Sequence, residues 1–333
     1  MDASFFATFW AALIAFGILV YVVLDGFDLG VGILFGITRD EAARRTMVSA
    51  IAPVWDGNET WLVLVGASLF GAFPAVYAIF LPAFYLPVAL LLFALIFRGV
   101  AFEFRERAIR TRPLWDTGFF LGSLIVAFVQ GAAIGTMVTE LPVLNGRYAG
   151  SAFEWVAPFP ILCGIGLVLG YALLGAGWLV LKTEGPVHER ARRQMIWLLV
   201  GVAVFVAVAF AGALRLHIRM ADRWATSPGL LVLPLLLVLS ALAVFVSLRR
   251  EGSDHIPFIG AVTMVVLAYL MLVTSFWPYM IPFSVTIEDA AAPVESLSFM
   301  FWGAGLIVPP VVLIYTAIVY WVFRGKTSKT STY

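Results

Sequence analysis

Long apolar runs recur along the whole chain and are separated by short polar segments. A membrane-spanning helix needs about 20 apolar residues. Runs of this length cover residues of about 5–24, 51–73, 76–97, 117–138, 156–181, 195–214, 229–247, 258–281 and 298–323. The pattern predicts an all-α polytopic membrane protein of about nine transmembrane helices, with residues 1–333 forming one helical domain. Pro82 and Pro87 in the third run and Pro309-Pro310 in the ninth predict kinks, because proline lacks a backbone donor.

The composition supports a membrane protein and excludes several other classes. Hydrophobic residues make up 62% of the chain and charged residues 12%, whereas soluble domains average about 45–50% and about 25%. The net charge of +1 gives no indication of nucleic-acid binding. The single cysteine, Cys163, excludes an intrachain disulfide and a CxxC redox pair.

Lysine and arginine are distributed unevenly between the two sides of the predicted membrane. The predicted spans place the first, third, fifth and seventh loops and the C-terminal tail on one side. The chain has 21 Lys and Arg residues, and all lie on that side except Arg147, Arg215, Arg219 and Arg223. Because basic loops remain in the cytoplasm, we expect the N-terminus outside and the C-terminus in the cytoplasm.

Two pairs of carboxylates lie in or near the predicted spans. Asp25 and Asp28 occur in L-D-G-F-D-L-G-V-G, and Asp56 and Glu59 occur in V-W-D-G-N-E-T-W. The spacing of three residues places both members of a pair on one face of a helix. A charge at the centre of a membrane helix costs about 2.5–3.5 kcal/mol, so such residues usually face a bundle interior or a wet pathway.

The two pairs differ in their predicted depth. Asp25 lies about 30 Å along the first span, near its cytoplasmic end, and Asp56 roughly 10 Å along the second. Asp25 and Asp28 therefore either cap or flank a helix end, paired with arginines of the first loop, or belong to an intramembrane site. The greater depth of Asp56, with Asn58 close by, favours a wet pathway at that point.

Other polar and aromatic residues of these segments have two interpretations each. Arg98 either extends to the interface or acts as the counter-ion of a carboxylate. Glu103, four residues before Arg107, is suited to a solvated pair. Trp55 fits an interfacial aromatic belt, whereas Trp61 lies nearly 20 Å along the second span, which is deep for such a role.

The three histidines, His188, His217 and His255, fall in or beside predicted loops. A membrane haem needs an axial ligand, most often His, sometimes with Met, and no predicted span offers a histidine at depth. The chain also lacks HExxH, Walker A and GxGxxG motifs. We therefore expect no haem and no metal site in this chain, and redox chemistry, if any, in a partner.

Four segments carry a resemblance to a known family. They are L-D-G-F-D-L-G-V-G at 24–32, I-A-P-V-W-D-G-N-E-T-W-L at 51–62, F-R-G-V-A-F-E-F-R at 97–105 and I-V-P-P-V-V-L-I-Y-T-A-I-V-Y-W-V-F-R-G-K at 307–326. With these segments the chain resembles subunit II of cytochrome bd-type quinol oxidases over its whole length, less closely in its middle part. The short length and the tail resemble the branch often called cyanide-insensitive.

The resemblance implies a heterodimer in the bacterial cytoplasmic (inner) membrane, and an enzyme that oxidises quinol and reduces oxygen to water. In such oxidases subunit I carries two b-type haems and one haem d and oxidises the quinol, whereas subunit II binds no haem. The protons for water formation come from the cytoplasm, which generates a proton motive force without pumping. A structural quinone, membrane lipid and a small accessory subunit are further candidate partners.

The resemblance also implies roles for individual residues. Asp56 matches the family's proton-route aspartate, and Trp61 matches the tryptophan near its oxygen path. The other candidates for the proton route are Asp25, Asp28, Glu59 and Glu103. Candidate structural or counter-ion positions are Trp55, Asn58 and Arg98.

The alternative function is a proton- or ion-coupled secondary transporter, in which the same carboxylates would bind the coupling ion. The sequence shows no inverted repeats and no pair of broken helices, which argues against this alternative. Purification would separate the two functions. A haem-bearing partner of similar size supports the oxidase, and a haem-free homo-oligomer supports the transporter.

Overall fold

A computed structural model describes residues 2–250 and 252–327 and is almost entirely helical. The helices are α1 (Ala3–Gly36), α2 (Glu41–Ile51), α3 (Trp55–Ala72), α4 (Pro74–Ala83), α5 (Tyr85–Arg105), α6 (Arg112–Val138), α7 (Pro158–Lys182), α8 (Gly185–Leu216), α9 (Ile218–Thr226), α10 (Val232–Arg249), α11 (His255–Phe276), α12 (Ile287–Ala290), α13 (Val294–Met300) and α14 (Val308–Val322). Two short antiparallel hairpins pair β1 (Val143–Leu144) with β2 (Arg147–Tyr148) and β3 (Tyr279–Ile281) with β4 (Val285–Thr286). Lys329, which the charge distribution assigns to the cytoplasmic tail, lies outside the described residues.

Within the described residues, 8 helical segments are long and apolar enough to cross a membrane. They are α1, α5, α6, α7, α8, Pro228–Arg249, α11 and Val294–Val322. The 18-residue α3 covers the second predicted span but is not among them, because its first turns contain Asp56, Asn58 and Glu59. The all-α polytopic fold class predicted from the sequence is confirmed, and α3 is the most polar of its expected spans.

The first helix is longer than the apolar pattern indicates. It has 34 residues, or about 51 Å at 1.5 Å per residue, which exceeds the thickness of a hydrocarbon core of about 30 Å. Asp2 caps its N-terminus by accepting a hydrogen bond from Phe5 N at 2.9 Å. The expectation that Asp25 and Asp28 cap or flank a helix end is therefore wrong, since α1 continues through both residues to Gly36.

The third predicted span is divided at Phe84 into α4 and α5. Pro82 lies in the last turn of α4, and Pro87 in the first turn of α5. Neither proline can donate a backbone hydrogen bond to the preceding turn, which allows the break. In the last span, a π-helical turn at Phe301–Gly305 precedes Pro309 and the start of α14.

The centre of the bundle is the crossing of α1 and α7, where glycines let the two backbones approach closely. A Cβ atom added to Gly30 would lie 1.8 Å from the Tyr171 carbonyl oxygen, and one added to Gly175 would lie 2.4 Å from the Gly30 carbonyl carbon. Backbone atoms cannot move aside as a flexible side chain can. This crossing therefore depends on glycine at both positions, and it holds the middle of α1 in place.

We expect Gly30→Ala to reduce strongly the yield of folded protein, because the added methyl group would force α1 and α7 apart. Overpacking a core costs about 1–3 kcal/mol and sometimes more. The matched control is Gly170→Ala on α7, where an added Cβ has no atom within 4 Å. Thermal unfolding of detergent-solubilised protein measures both variants, and equal midpoints would contradict the prediction.

Candidate functional site

Asp25 and Asp28 lie on the face of α1 that is fully enclosed by the bundle. Both side chains have 0% exposure. Asp28 Oδ2 accepts a hydrogen bond from Asn58 Nδ2 at 2.6 Å, and the same amide group donates to the Leu24 carbonyl at 3.3 Å. The contact with Asn58 joins α1 to the first turn of α3. The pair is thus an internal site and contacts no arginine of the first loop among the described residues.

Arg98 of α5 is the counter-ion of this site. Its side chain is 1% exposed, and Nη1 donates to Asp25 Oδ1 at 3.4 Å and to Glu59 Oε1 of α3. The Trp55 ring lies 5.9 Å from the guanidinium carbon and covers it. The interpretation of Arg98 as a side chain that extends to the interface is therefore wrong, because paired carboxylates hold it in the interior. Trp55, in turn, packs on Arg98 as well as on Phe102.

The charges of this group do not balance. We call Asp25, Asp28, Glu59 and Arg98 the carboxylate cluster. It brings three carboxyl groups to one guanidinium, and within the described residues Asp25 Oδ2 and Asp28 Oδ1 are buried without a hydrogen-bond partner. Burial of unpaired negative charge is costly. The cluster therefore has the composition of a group that binds exchangeable protons or water.

Asp56 and Glu103 lie outside the cluster and on the surface of the chain. Both side chains are exposed, and neither forms an ion pair with a described residue. The predicted Glu103–Arg107 pair is absent from the described part, since α5 ends at Arg105 and the chain turns away. The depth argument correctly singled out the α3 segment but assigned the deepest position to the wrong pair. Glu59, with 26% side-chain exposure, connects the surface to the cluster.

Trp61 lies on the buried side of α3, one turn and a half beyond Asp56. It is fully buried, and its ring centroid is 6.0 Å from that of Phe16 on α1. Its indole N–H has no hydrogen-bond partner in the part of the chain that the structure describes. The environment of Trp61 is therefore apolar even at the edge of the indole that usually finds a polar partner.

Several tyrosines and one glutamine that the sequence analysis did not single out extend this polar interior. Tyr320 of α14 donates from its hydroxyl to Asn58 Oδ1 at 3.0 Å. Tyr171 of α7 donates to Gln130 Oε1 at 2.8 Å, and Gln130 Nε2 donates to the Tyr21 hydroxyl at 2.7 Å. The one available signal was the position of Tyr21, four residues before Asp25 and on the same helix face.

A second ion network at the end of α5 was also missed from the sequence. Arg105, 1% exposed, donates to Asp116 of α6 at 2.6 Å and to Glu41 of α2 at 3.0 Å, and Arg44 donates to Asp116 at 2.8 Å. Both guanidinium groups lie over the Phe35 ring, at 4.8 and 5.1 Å. Partial burial tends to raise the pKa of Glu41, but the Arg105 guanidinium outweighs it and holds that pKa below its ordinary value. The network fastens α2 to the bundle just before α3 begins.

The histidines lie at or near helix ends. His188 contacts Asp254 at 2.9 Å, His217 contacts Glu140 at 3.2 Å, and His255 begins α11. Among the described residues, no group of three or more His, Cys, Asp or Glu side chains is arranged to hold a metal ion. The arrangement suits the binding and transfer of protons and offers no evident ligand set for a redox centre.

Comparison with known proteins identifies relatives over nearly the whole chain. The family model of cytochrome bd terminal oxidase subunit II matches residues 6–323. The cytochrome bd-I ubiquinol oxidase subunit 2 of Escherichia coli (strain K12) is 30% identical over 360 residues, which cover 96% of this chain and 94% of the relative. The cytochrome bd ubiquinol oxidase subunit 2 of Bacillus subtilis (strain 168) is 30% identical over 329 residues, which cover 96% of each chain.

A solved structure shares the fold. The bd oxidase from Geobacillus thermodenitrificans matches with a TM-score of 0.70 and 16% identity, over 95% of this chain and 99% of that one. The transporter alternative is not supported by any of these relatives. The resemblance seen in the four sequence segments is confirmed, and the chain belongs to the family of cytochrome bd terminal oxidase subunit II, a bacterial inner-membrane component of the respiratory enzyme that oxidises quinol and reduces oxygen.

Proposed function

We propose that this chain is the haem-free subunit of the oxidase, and that it supports subunit I and lines routes for protons and oxygen towards it. Family membership implies a complex with a subunit I partner that carries the haem cofactors. We assign two b-type haems, haem d and quinol oxidation to that partner. The observation that carries the proposal is a carboxylate cluster in the bundle interior that reaches the surface through Glu59.

The proposed proton route begins at Asp56 and continues one turn along α3. The exposed carboxylate of Asp56 takes a proton from water, and the partly exposed Glu59 receives it. Glu59 and Asp25 share the Nη1 group of Arg98, so a proton that reaches Glu59 enters a group of carboxyls with similar electrostatic surroundings. Such a group can hold a proton and release it on demand. Glu103 is the proposed second surface carboxylate, on α5.

The exposed face of α3 is the proposed contact with subunit I. Asp56, Thr60, Val63 and Phe70 are exposed and follow one another at helical spacing. A carboxylate on a membrane helix seldom faces lipid, because the hydrocarbon cannot solvate it. A partner that covers this face would place Asp56 in the interface between the subunits, where water can be retained.

The proposed oxygen path passes Trp61. Oxygen is small and apolar, and the fully buried indole with its apolar surroundings would neither retain water nor bind a polar solute. The buried side of α3 would then conduct oxygen, while its exposed side conducts protons. A structural quinone, bound lipid, a small accessory subunit and membership of the cyanide-insensitive branch stay predictions from the resemblance.

We expect this chain, expressed and purified alone, to bind no haem, whereas its complex with subunit I shows haem absorption. The reason is the absence of a histidine at depth in the spans among the described residues. A pyridine haemochrome assay on the isolated chain, together with an optical spectrum of the complex, measures both. Stoichiometric haem in the isolated chain would contradict the proposal, and so would a purified haem-free homo-oligomer as the native assembly.

A further inference from the structure

A cavity of about 240 Å³ opens beside the C-terminal tail, on the face that the basic residues assign to the cytoplasm. It is formed where the α2–α3 junction, the end of α7 and the end of α14 meet. Residues that line it include Ala50, Val54, Trp178, Lys182, Tyr320 and Thr327. The volume holds several water molecules, and the lining offers hydroxyl, ammonium and backbone groups that can bind them. We call this cavity the vestibule.

The rim of the vestibule is held by polar contacts of the C-terminal tail. Lys182 Nζ donates to the carbonyls of Phe323 and Gly325, and Thr327 N donates to the Lys182 carbonyl at 2.8 Å. Lys326 Nζ pairs with Asp254 at 2.8 Å. Both ammonium groups are thus engaged with the tail or with a carboxylate. The opening is therefore a fixed part of the fold.

The inner end of the vestibule lies two hydrogen bonds from the carboxylate cluster. Tyr320 lines the vestibule, and its hydroxyl donates to Asn58 Oδ1 at 3.0 Å. Asn58 Nδ2 donates to Asp28 Oδ2 at 2.6 Å, and the other oxygen of Asp28 is buried without a partner among the described residues. Asn58 alone separates the hydroxyl of Tyr320 from the carboxyl group of Asp28.

We propose that the vestibule is a second, water-filled proton entry to the carboxylate cluster, independent of Asp56, and that the Asn58 amide is its gate. This inference rests on the proposed function, in which the cluster exchanges protons. With Asn58 in place the path is closed, because a primary amide does not relay protons. When the amide swings away, water enters between Tyr320 and Asp28. One proton then passes from vestibule water to the Tyr320 hydroxyl as that hydroxyl gives its own proton, through the bridging water, to Asp28.

The first test asks whether the vestibule contains water, and its readout does not depend on activity. Ala50→Cys and Ala127→Cys place thiols at two buried alanines, 2% and 0% exposed, of which only Ala50 lines the vestibule. The complex is treated with silver ions, which are small enough to follow water, and remaining thiols of this chain are counted by mass after denaturing alkylation. Silver should protect the thiol at position 50 and leave the one at position 127 free. Equal protection at both positions, or none at position 50, would overturn the proposal.

The second test asks whether the vestibule conducts protons in parallel with Asp56. Oxygen uptake per haem of the complex is measured for Tyr320→Phe, for Asp56→Asn and for both together. Two parallel entries substitute for each other, so Tyr320→Phe alone should have a small effect, while the double variant should lose about tenfold more than the product of the single effects, or about 1.4 kcal/mol. The matched control is Tyr315→Phe, an exposed tyrosine of the same helix, combined with Asp56→Asn.

The outcomes separate this inference from the proposed function. If Asp56→Asn slows turnover and Tyr320→Phe adds nothing in either background, the cluster is supplied from Asp56 alone and the vestibule proposal fails. If neither single variant nor the double variant changes turnover, the proton role of the cluster fails and the vestibule proposal fails with it. An equal extra loss with Tyr315→Phe would show a general effect on α14 and would also overturn the proposal.

Discussion

Replacement of Arg98 by glutamine is expected to abolish the recovery of assembled, haem-containing complex. Arg98 is 1% exposed and is the counter-ion of both Asp25 and Glu59. Removing one partner of a buried ion pair costs about 3–5 kcal/mol, because the remaining charge stays buried without compensation. That cost is a large part of the stability of an ordinary domain, about 5–15 kcal/mol. The measurement is haem-containing complex recovered per mass of membrane.

Two further variants define the cause of the Arg98 effect. Arg98→Lys keeps the positive charge but replaces a planar fork with a point charge, so it should restore part of the yield. Arg107→Gln removes an exposed arginine from the loop after α5 and should leave the yield near the parent value. A normal yield of the Arg98→Gln complex would show that the cluster does not need its counter-ion, and the account of the buried charges would be wrong.

Asp56→Asn is expected to slow oxygen reduction about tenfold, which corresponds to about 1.4 kcal/mol at the limiting step, without loss of assembly. The side chain is exposed and forms no ion pair with a described residue, so an amide of the same size should not disturb the fold. It cannot exchange a proton as a carboxylate does. The measurement is quinol-driven oxygen uptake divided by the haem d content, which removes differences in assembly between preparations.

The conservative variant and the second surface carboxylate complete this experiment. Asp56→Glu retains an ionisable group at the same place and should keep part of the activity. Combining Asp56→Asn with Glu103→Gln tests whether α5 provides the residual entry. Unchanged turnover per haem d in Asp56→Asn would count against a required relay at this residue. A lower complex yield at unchanged turnover would instead indicate a structural role in the contact with subunit I.

The identity of the polar residues inside the membrane was predictable, but their environments were not. Asp25, Asp28, Asp56 and Glu59 stand out because charges are rare in apolar runs, and this signal is local. Asp25 accepts from Arg98, 73 residues away, and Asn58 accepts from Tyr320, 262 residues away. No short-range pattern specifies such contacts, so the sequence assigned the deepest position to Asp56, which is exposed, and a helix end to Asp25, which is fully buried.

The sequence by itself determined the helical, membrane-embedded class of this protein and its family, because both follow from long apolar runs and contiguous motifs. It also identified the α3 segment as functional, since polar residues within a span carry a high cost that a structure must offset. Only the tertiary structure decided which residues offset that cost. The α1–α7 crossing at Gly30 and Gly175 and the course of α5 past α1 bring Arg98 to the carboxylates. The reason is physical: pairing of buried charges depends on distances of a few ångströms between helices, and those distances are set by packing across the whole bundle.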